Sequence, residues 1–339
     1  MAKGVTLTDI AERVGVSNVA VHKALTDKPG VNAELRSKIK ALAKEMGYTG
    51  TASAAGKTKA GEKTGNIGVV IPEQYYGLAV SFYGRLYEEV VKTLYKNGHF
   101  GIMELLSTQD ENSVTMPRVM QEQKVDGVIF LGPADRRYIE AMASQMQFPV
   151  LFLDNYIPTV TSDTVISDGY YGAYVMTDYL VGQGHRRIGF VGDVDASSSI
   201  ADRYWGYRKA LRDRGIVFEE TWEIVDRNKQ DGVFKTIVED NNGMDAYVCN
   251  CDFIADIVIQ NLEAKGHRVP EDVSVVGIDD FLPAGIDNTR ITTYKVDIER
   301  MAEACVESLL KKINGEKYVK GIQVISGKIV CKRSVARRM

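Results

Sequence analysis

Two groups of residues in this 339-residue chain have the types and spacing to do chemistry. The first is crowded into one stretch after Gly15: Ser17, Asn18, Val19, His22 and Lys23. A carboxamide pairs with a base edge, a branched apolar group touches a thymine methyl, and an ammonium reaches a guanine or a phosphate. Asn18, Val19 and Lys23 fit those roles. Ser17, His22 and Thr6 suit phosphate oxygens, which position a domain without reading sequence, and Asn32 at the next helix start joins the DNA-binding set. The second group is spread out. Asp154 and Asp279 end or follow apolar runs, Asp252 follows another, and Arg203 is preceded by Ser197-Ser198-Ser199. Planar carboxylate and guanidinium groups grip vicinal hydroxyls in pairs, so a polyol is the ligand they suit. A carboxylate at a strand end can instead cap the next helix, as Asp252 would, and Asp279 also suits a structural or hinge role. Of the aromatics Tyr75, Tyr76, Phe82 and Tyr83, Phe82 is the candidate for a stacking face.

The first group requires a helix-turn-helix. Leu7, Ile10, Ala11 and Val14 recur at helical spacing. Gly15 supplies the turn, and Ser17 stands where an N-cap belongs. A second helix over about 18–25 turns Val21, Ala24 and Leu25 inward, and Asp27-Lys28-Pro29-Gly30 breaks it. A third opens near Asn32 and buries Leu35, Ile39, Leu42 and Met46, with Gly47 at its end. The N-terminal residues of the second helix of such a pair meet base edges in the major groove.

The second group requires strand ends facing a common space. From Asn66 onward, apolar runs at 67–72, 100–106, 127–131, 149–154, 163–167, 188–192, 222–226, 245–250 and 273–278 read as strands. They alternate with helical patterns near 80–97, 110–123, 135–146, 169–184, 199–214, 230–241, 252–265 and 297–314. Alternation of this kind implies parallel sheets covered on both faces. The pattern restarts near Asp163, so two α/β lobes are expected, with ligand held between them at the carboxyl ends of the strands.

Thr6-Leu7, Asp9-Ile10-Ala11, Gly15-Val16-Ser17, Val21, Leu25, Val31, Arg36 and Ile39 together resemble the DNA-binding headpiece of the lactose-repressor (LacI/GalR) family of bacterial transcription regulators. The resemblance continues through Gly184-His185-Arg186-Arg187-Ile188-Gly189, Arg203 with Gly206-Tyr207, Val276-Gly277-Ile278-Asp279-Asp280, Ile291-Thr292-Thr293 and Lys332-Arg333-Ser334. It implies a fold of α/β class: an N-terminal three-helix DNA-binding headpiece plus a two-lobed effector domain like a periplasmic binding protein, with parallel sheets. The expected boundaries are a headpiece at 1–49, a linker at 50–65 and an effector domain at 66–339. Lobe one would take about 66–162 and 294–322, lobe two about 163–293 and 323–339. By position, Asn18, Val19 and Lys23 would read bases, while Ser199, Arg203 and Asp252 would face the effector, expected from the polyol chemistry above to be a sugar or sugar-like molecule.

The resemblance has gaps. Relatives carry Pro-Asn and then a short Ala-Arg-x-Leu hinge helix whose Leu wedges into the minor groove. Here stand Thr49-Gly50, Ala52, Ser53, Ala54, Ala55 and Gly56, without Pro or Leu. An inserted apolar side chain stabilises a kinked step; without it, affinity would lean on Lys57, Lys59 and Lys63. Cys251 stands where Asn is usual, and Val296 where Gln often faces the pocket, which implies a smaller or differently shaped ligand.

Composition sets the remaining bounds. Residues 1–64 hold eleven Lys/Arg against six Asp/Glu, the remainder 31 against 39. A basic first fifth on an acidic body is the footprint of a nucleic-acid arm on a domain with another task. No charged-then-apolar leader and no run of ~18 apolar residues is present, so a cytoplasmic protein without membrane contact is expected. Cys249, Cys251, Cys305 and Cys331 are too scattered for a disulfide framework or a metal site. Phosphate-loop, His-Glu-x-x-His, Gly-x-Ser-x-Gly and dinucleotide motifs are missing, so neither enzyme activity nor a cofactor is expected. The closing KRSVARRM carries no leucine heptad, and a homodimer is expected rather than a tetramer. The expected function is a ligand-responsive repressor on a near-palindromic operator; the alternative is a solute-binding protein of the same fold.

Overall fold

The computed structural model describes residues 5–25, 30–46, 63–76, 81–143, 145, 148–228, 234 and 243–338, with the side chain of Val19 left aside. The break at Asp27–Pro29, Gly47, most of the linker and the expected helix at 230–241 lie outside the described residues. These form two compact units, a headpiece and a body that begins at Gly65.

The headpiece is α1 (Leu7–Val14), α2 (Asn18–Leu25) and α3 (Ala33–Glu45). Ile10, Ala11, Val21, Ala24, Ile39 and Ala43 form its buried centre, one pair from each helix. Gly15 ends α1 in the left-handed region at φ 79°, its N–H donating to Ala11 O at 2.9 Å. A side chain there would carry the left-handed penalty, which is why glycine makes this turn.

The body opens with β1 (Asn66–Pro72), α4 (Glu73–Tyr76), α5 (Phe82–Lys96), β2 (Phe100–Leu106), α6 (Thr108–Ser113) and α7 (Arg118–Gln121). Next come β3 (Gly127–Leu131), α8 (Arg136–Ala143), β4 (Val150–Leu153) and β5 (Thr164–Ser167). The chain then runs through α9 (Gly169–Gly182), β6 (Ile188–Val191), α10 (Ser198–Asp213), β7 (Glu223–Ile224), β8 (Ala246–Cys249), α11 (Asp252–Ala264), β9 (Ser274–Asp279) and β10 (Thr292–Lys295). It finishes with α12 (Ile298–Asn314), β11 (Ile322–Ile325) and β12 (Lys328–Val330).

Two six-stranded sheets result, ordered β11-β5-β4-β3-β1-β2 and β12-β10-β9-β8-β6-β7. Every pairing is parallel except β10 with β12. Four of their inner strands, β3, β4, β6 and β8, have no residue that is not buried. That is the pattern of parallel strands covered on both faces.

Three expectations need correction. The strand near 163–167 belongs to the first lobe, whose sheet it extends, and the restart comes at Gly169 with α9. The C-terminal lobe boundary shifts likewise: β10 runs to Lys295 in the second sheet, and β11 runs to Ile325 in the first. The chain therefore crosses between lobes at 168, 296–297 and 326–327. Finally, the helix expected over 110–123 is two short pieces, because Val114 adopts φ 53° and Pro117 cannot continue the first.

Candidate effector cleft and nucleic-acid interface

On the headpiece, the N-terminus of α2 carries exposed Ser17 and Asn18. Ser17 Oγ accepts from Ala20 N at 3.3 Å, which leaves its hydroxyl proton to give. One N–H of the Asn18 amide goes to Thr8 Oγ1 at 3.2 Å, tying the front of α2 to α1. His22 and Lys23 are half-buried further along the helix. Asn32 is an N-cap, its Oδ1 accepting from Leu35 N at 2.8 Å. Thr6, expected at a phosphate, is engaged at the start of α1. Its hydroxyl donates to Asp9 Oδ2 (2.8 Å) while accepting from Asp9 N (3.3 Å), and its own N–H bonds the same carboxylate (2.7 Å). This is a capping box, and both of its donors are spent within it.

In the body, Arg203 is the centre of the cleft. It lies on α10 and is 4% exposed. Its Nη2 donates to Asp279 Oδ1 at 2.9 Å, and its Nη1 to the carbonyl of Asn250. Asp154, from the other lobe, is also within its field. Asp154 accepts from Tyr83 Oη (3.1 Å) and Ser167 Oγ (3.3 Å). Both carboxylates sit at strand ends on left-handed backbone, φ 58° at Asp154 and 112° at Asp279. Such conformations are costly for non-glycine residues and cluster at functional sites. Burial pushes the Asp279 carboxyl up to about 7, with Arg203 opposing and Asp154 adding. Burial likewise raises Asp154, against the pull of Arg203.

The remaining expected ligand residues divide. Phe82 opens α5 and meets Phe281 of the second lobe edge-on, ring centroids 6.4 Å apart. Both rings, with Asp279, Val296 and Ile298, wall a cavity of about 500 Å³ that reaches the crossover at Ser326-Gly327. Ser199 bonds Ser197 Oγ at 3.0 Å, and Ser197 caps α10. Asp252 does not wall that cavity. It is fully buried and its Oδ2 accepts from Phe281 N at 3.0 Å, so it holds the loop that carries Phe281. A Cβ at residue 277 would lie 2.1 Å from Asp252 Oδ1, so Gly277 is what makes room for it.

The cleft is closed by contacts between lobes. Tyr156 Oη donates to Asp202 Oδ1 at 2.8 Å and Ser198 Oγ to Asn155 Oδ1 at 3.3 Å. Sequence reasoning missed Phe281 and the pair Asp226–Arg227, and passed over Tyr83. Phe281 directly follows Asp279-Asp280, a position next to a candidate strand end that offered a signal. Arg227 offered none, lying in a polar run after a two-residue strand. On the outer edge of lobe one, β2 exposes Phe100 (66%), Met103 (36%) and Leu105 (43%), the last two on one face of the strand. All four cysteines are free thiols. Among the described residues, no helix is long and apolar enough to cross a membrane.

Comparison with known proteins agrees with this architecture. Residues 6–50 match the model of bacterial regulatory proteins of the lacI family, and residues 177–335 match a periplasmic binding protein-like domain. The chain is 28% identical over 321 residues to the transcriptional regulator RegA of Clostridium saccharobutylicum, covering 91% of this chain and 92% of that one. It is 24% identical over 340 residues to the repressor PurR of Pectobacterium carotovorum, with 98% and 97% covered. In fold it is similar to a CelR–cellobiose complex (TM-score 0.70, 22% identity, 97% and 99% covered). It is also similar to a lac repressor dimer bound to operator and an anti-inducer (TM-score 0.67, 22% identity, 98% and 100% covered). The chain thus joins a lacI-family headpiece to a periplasmic binding protein-like domain, and the relatives it matches along nearly their whole length are transcription regulators.

Proposed function

We propose that the chain is a ligand-responsive repressor that binds a near-palindromic operator as a dimer and takes a sugar or sugar-like effector between its lobes. The observation that carries the reading is the convergence of Asp154 from one lobe with Arg203 and Asp279 from the other. A vicinal diol between them would meet paired acceptors and a planar donor, with Phe82 and Phe281 beside it. Relatives of the same fold support a sugar: one is a cellobiose complex and another, from Enterococcus faecium, holds ribose. On the headpiece, Asn18, Val19 and Lys23 read bases, and Ser17 and His22 hold phosphates. Asn32 caps α3 and is placed to do no more than position the backbone.

The test is selection of DNA from a random pool by the full-length protein, followed by release with sugars. Two half-sites about one helical turn apart, ~34–36 Å, are expected. Enrichment without any shared sequence, lost at moderate salt, would count for a binding protein that has no operator.

A further inference from the structure

We propose that Arg227 reads an oxyanion on the effector, a sugar carboxylate or a sugar phosphate; the proposal rests on the cleft being the effector site. Arg227 follows β7 at the carboxyl end of the second sheet, the end from which Asp279 and Asn250 also project. Its guanidinium is fixed along one edge only. Nε donates to Asp226 Oδ1 at 2.9 Å and Nη2 to Asp226 Oδ2 at 2.8 Å, a two-point grip on a carboxylate that is itself fully buried. Asp226 is held in turn by Asp193 N (3.0 Å) and Asn250 Nδ2 (2.9 Å). The ring of Phe234 lies under the guanidinium, 5.0 Å from centroid to carbon. Among the described residues no acceptor bonds Nη1, while the side chain keeps 15% of its exposure.

The anchoring residue is shared. Asn250 holds Asp226 by its side chain and Arg203 by its carbonyl, so one residue spaces the two guanidinium groups. Around them the chemistry differs. Arg203 faces two carboxylates, which compete with an anion and favour hydroxyls. Arg227 has one carboxylate, which grips its Nε–Nη2 edge, and the Cys251 thiol and the Tyr75 phenol of the other lobe lie within its field. A guanidinium clamped along one edge, with Nη1 left over, is preset for a second oxygen acid, since its fork needs no reordering to bind one.

The test uses the full-length protein and measures affinity by titration calorimetry. The probes are D-glucuronate, D-galacturonate, glucose 6-phosphate and galactose 6-phosphate, each against its neutral parent hexose. At least one acid is expected to bind tenfold or more tighter than its parent. Arg227→Gln should reduce it to the parent's level, a loss of about 10- to 100-fold, the usual worth of a hydrogen bond to a charged group. Arg227→Lys, which keeps a cation without the fork, should fall between them and guards against a Gln variant that fails to fold. Which acid responds separates carboxylate from phosphate. Neutral hexoses binding as tightly as their acids, or an Arg227→Gln variant of unchanged preference, would overturn the oxyanion reading and leave the sugar effector standing. Silence of acids and hexoses alike would overturn both.

Discussion

Arg203 and Asp279 form a buried ion pair, Nη2 to Oδ1 at 2.9 Å, with both side chains less than a tenth exposed. The pair spans β9 and α10 of one lobe, while Asp154, at the end of β4 in the other, adds a second carboxylate to the same cation. One guanidinium between two buried acids is an arrangement that resists the loss of its centre. Arg203→Ala should destabilise the body by about 3–5 kcal/mol, because removing one partner strands uncompensated charge. Denaturant melts of the isolated variant check this. A change below about 1 kcal/mol would mean that water or a proton replaces the guanidinium at little cost.

The same relationship predicts a pH dependence. Burial holds the Asp279 carboxyl at about 7 in the folded chain, against the ordinary carboxylate value of ~3.9 when unfolded. The folded state therefore binds this proton more readily than the unfolded state. Its contribution to stability is complete below about pH 4 and is lost as pH rises through about 7. Melting temperature of the ligand-free protein should fall across that window more steeply than in Asp279→Asn. Parallel curves for the two proteins would remove Asp279 as the titrating group.

Asp252 separates a supporting role from a binding one. Burial, with Asp279 nearby, pushes its carboxyl well above the usual range, and an amide keeps the size of that group and one acceptor oxygen. Asp252→Asn keeps an oxygen for Phe281 N and should leave effector affinity within about threefold, a difference of ~0.7 kcal/mol. Asp252→Ala orphans that N–H and should cost about 1–3 kcal/mol of stability. A tenfold loss of affinity in the Asn variant at full stability would return Asp252 to the ligand.

The strong local signals were the legible ones. Alternating apolar runs located β1, β2 and β3 to within a residue, and the turn chemistry of Gly15 and Ser17 located α1 and α2. The short late strands were not legible. Thr292-Thr293-Tyr294-Lys295 is an inner strand but only four residues long and mostly polar, and the edge strand Ile322-Gln323-Val324-Ile325 is half exposed, so neither reads as an apolar run. Which lobe takes Thr164–Ser167 depends on where the first crossover falls, and no local residue states that. In the candidate site, residue type nominated Asp154, Arg203 and Asp279, which the fold brings together, because a charged group at a strand end is conspicuous. It also nominated Asp252, whose carboxylate accepts from Phe281 N; type alone does not tell which backbone group a carboxylate will meet.

The exposed apolar residues on β2 predict where lobe one meets its copy. Phe100, Met103 and Leu105 lie on an edge strand whose outer side has no neighbour among the described residues. Such an edge invites pairing. Met103→Asp with Leu105→Asp should give a monomer by analytical ultracentrifugation, with little change in the fold by circular dichroism, since exposed sites tolerate substitution within about 0.5 kcal/mol. A dimer that persists at micromolar concentration would place the interface elsewhere on the body.

Thr6 and Asn18 should separate headpiece stability from sequence reading. Thr6 closes a capping box with Asp9, so Thr6→Ala should cost about 1 kcal/mol of headpiece stability and weaken every DNA equally. Asn18 stands exposed at the front of α2, one amide N–H on Thr8 and the rest turned outward. Asn18→Ala should leave the melting temperature nearly unchanged while relaxing preference at a single base pair in each half-site, by about 1–3 kcal/mol. Gel-shift titrations against the operator and against operators altered at one position measure the two effects side by side. The salt dependence of binding should stay the same for Asn18→Ala, because no phosphate contact is removed. An Asn18→Ala variant that loses affinity uniformly, with a shallower salt slope, would make this residue a backbone contact and shift base reading to the rest of α2.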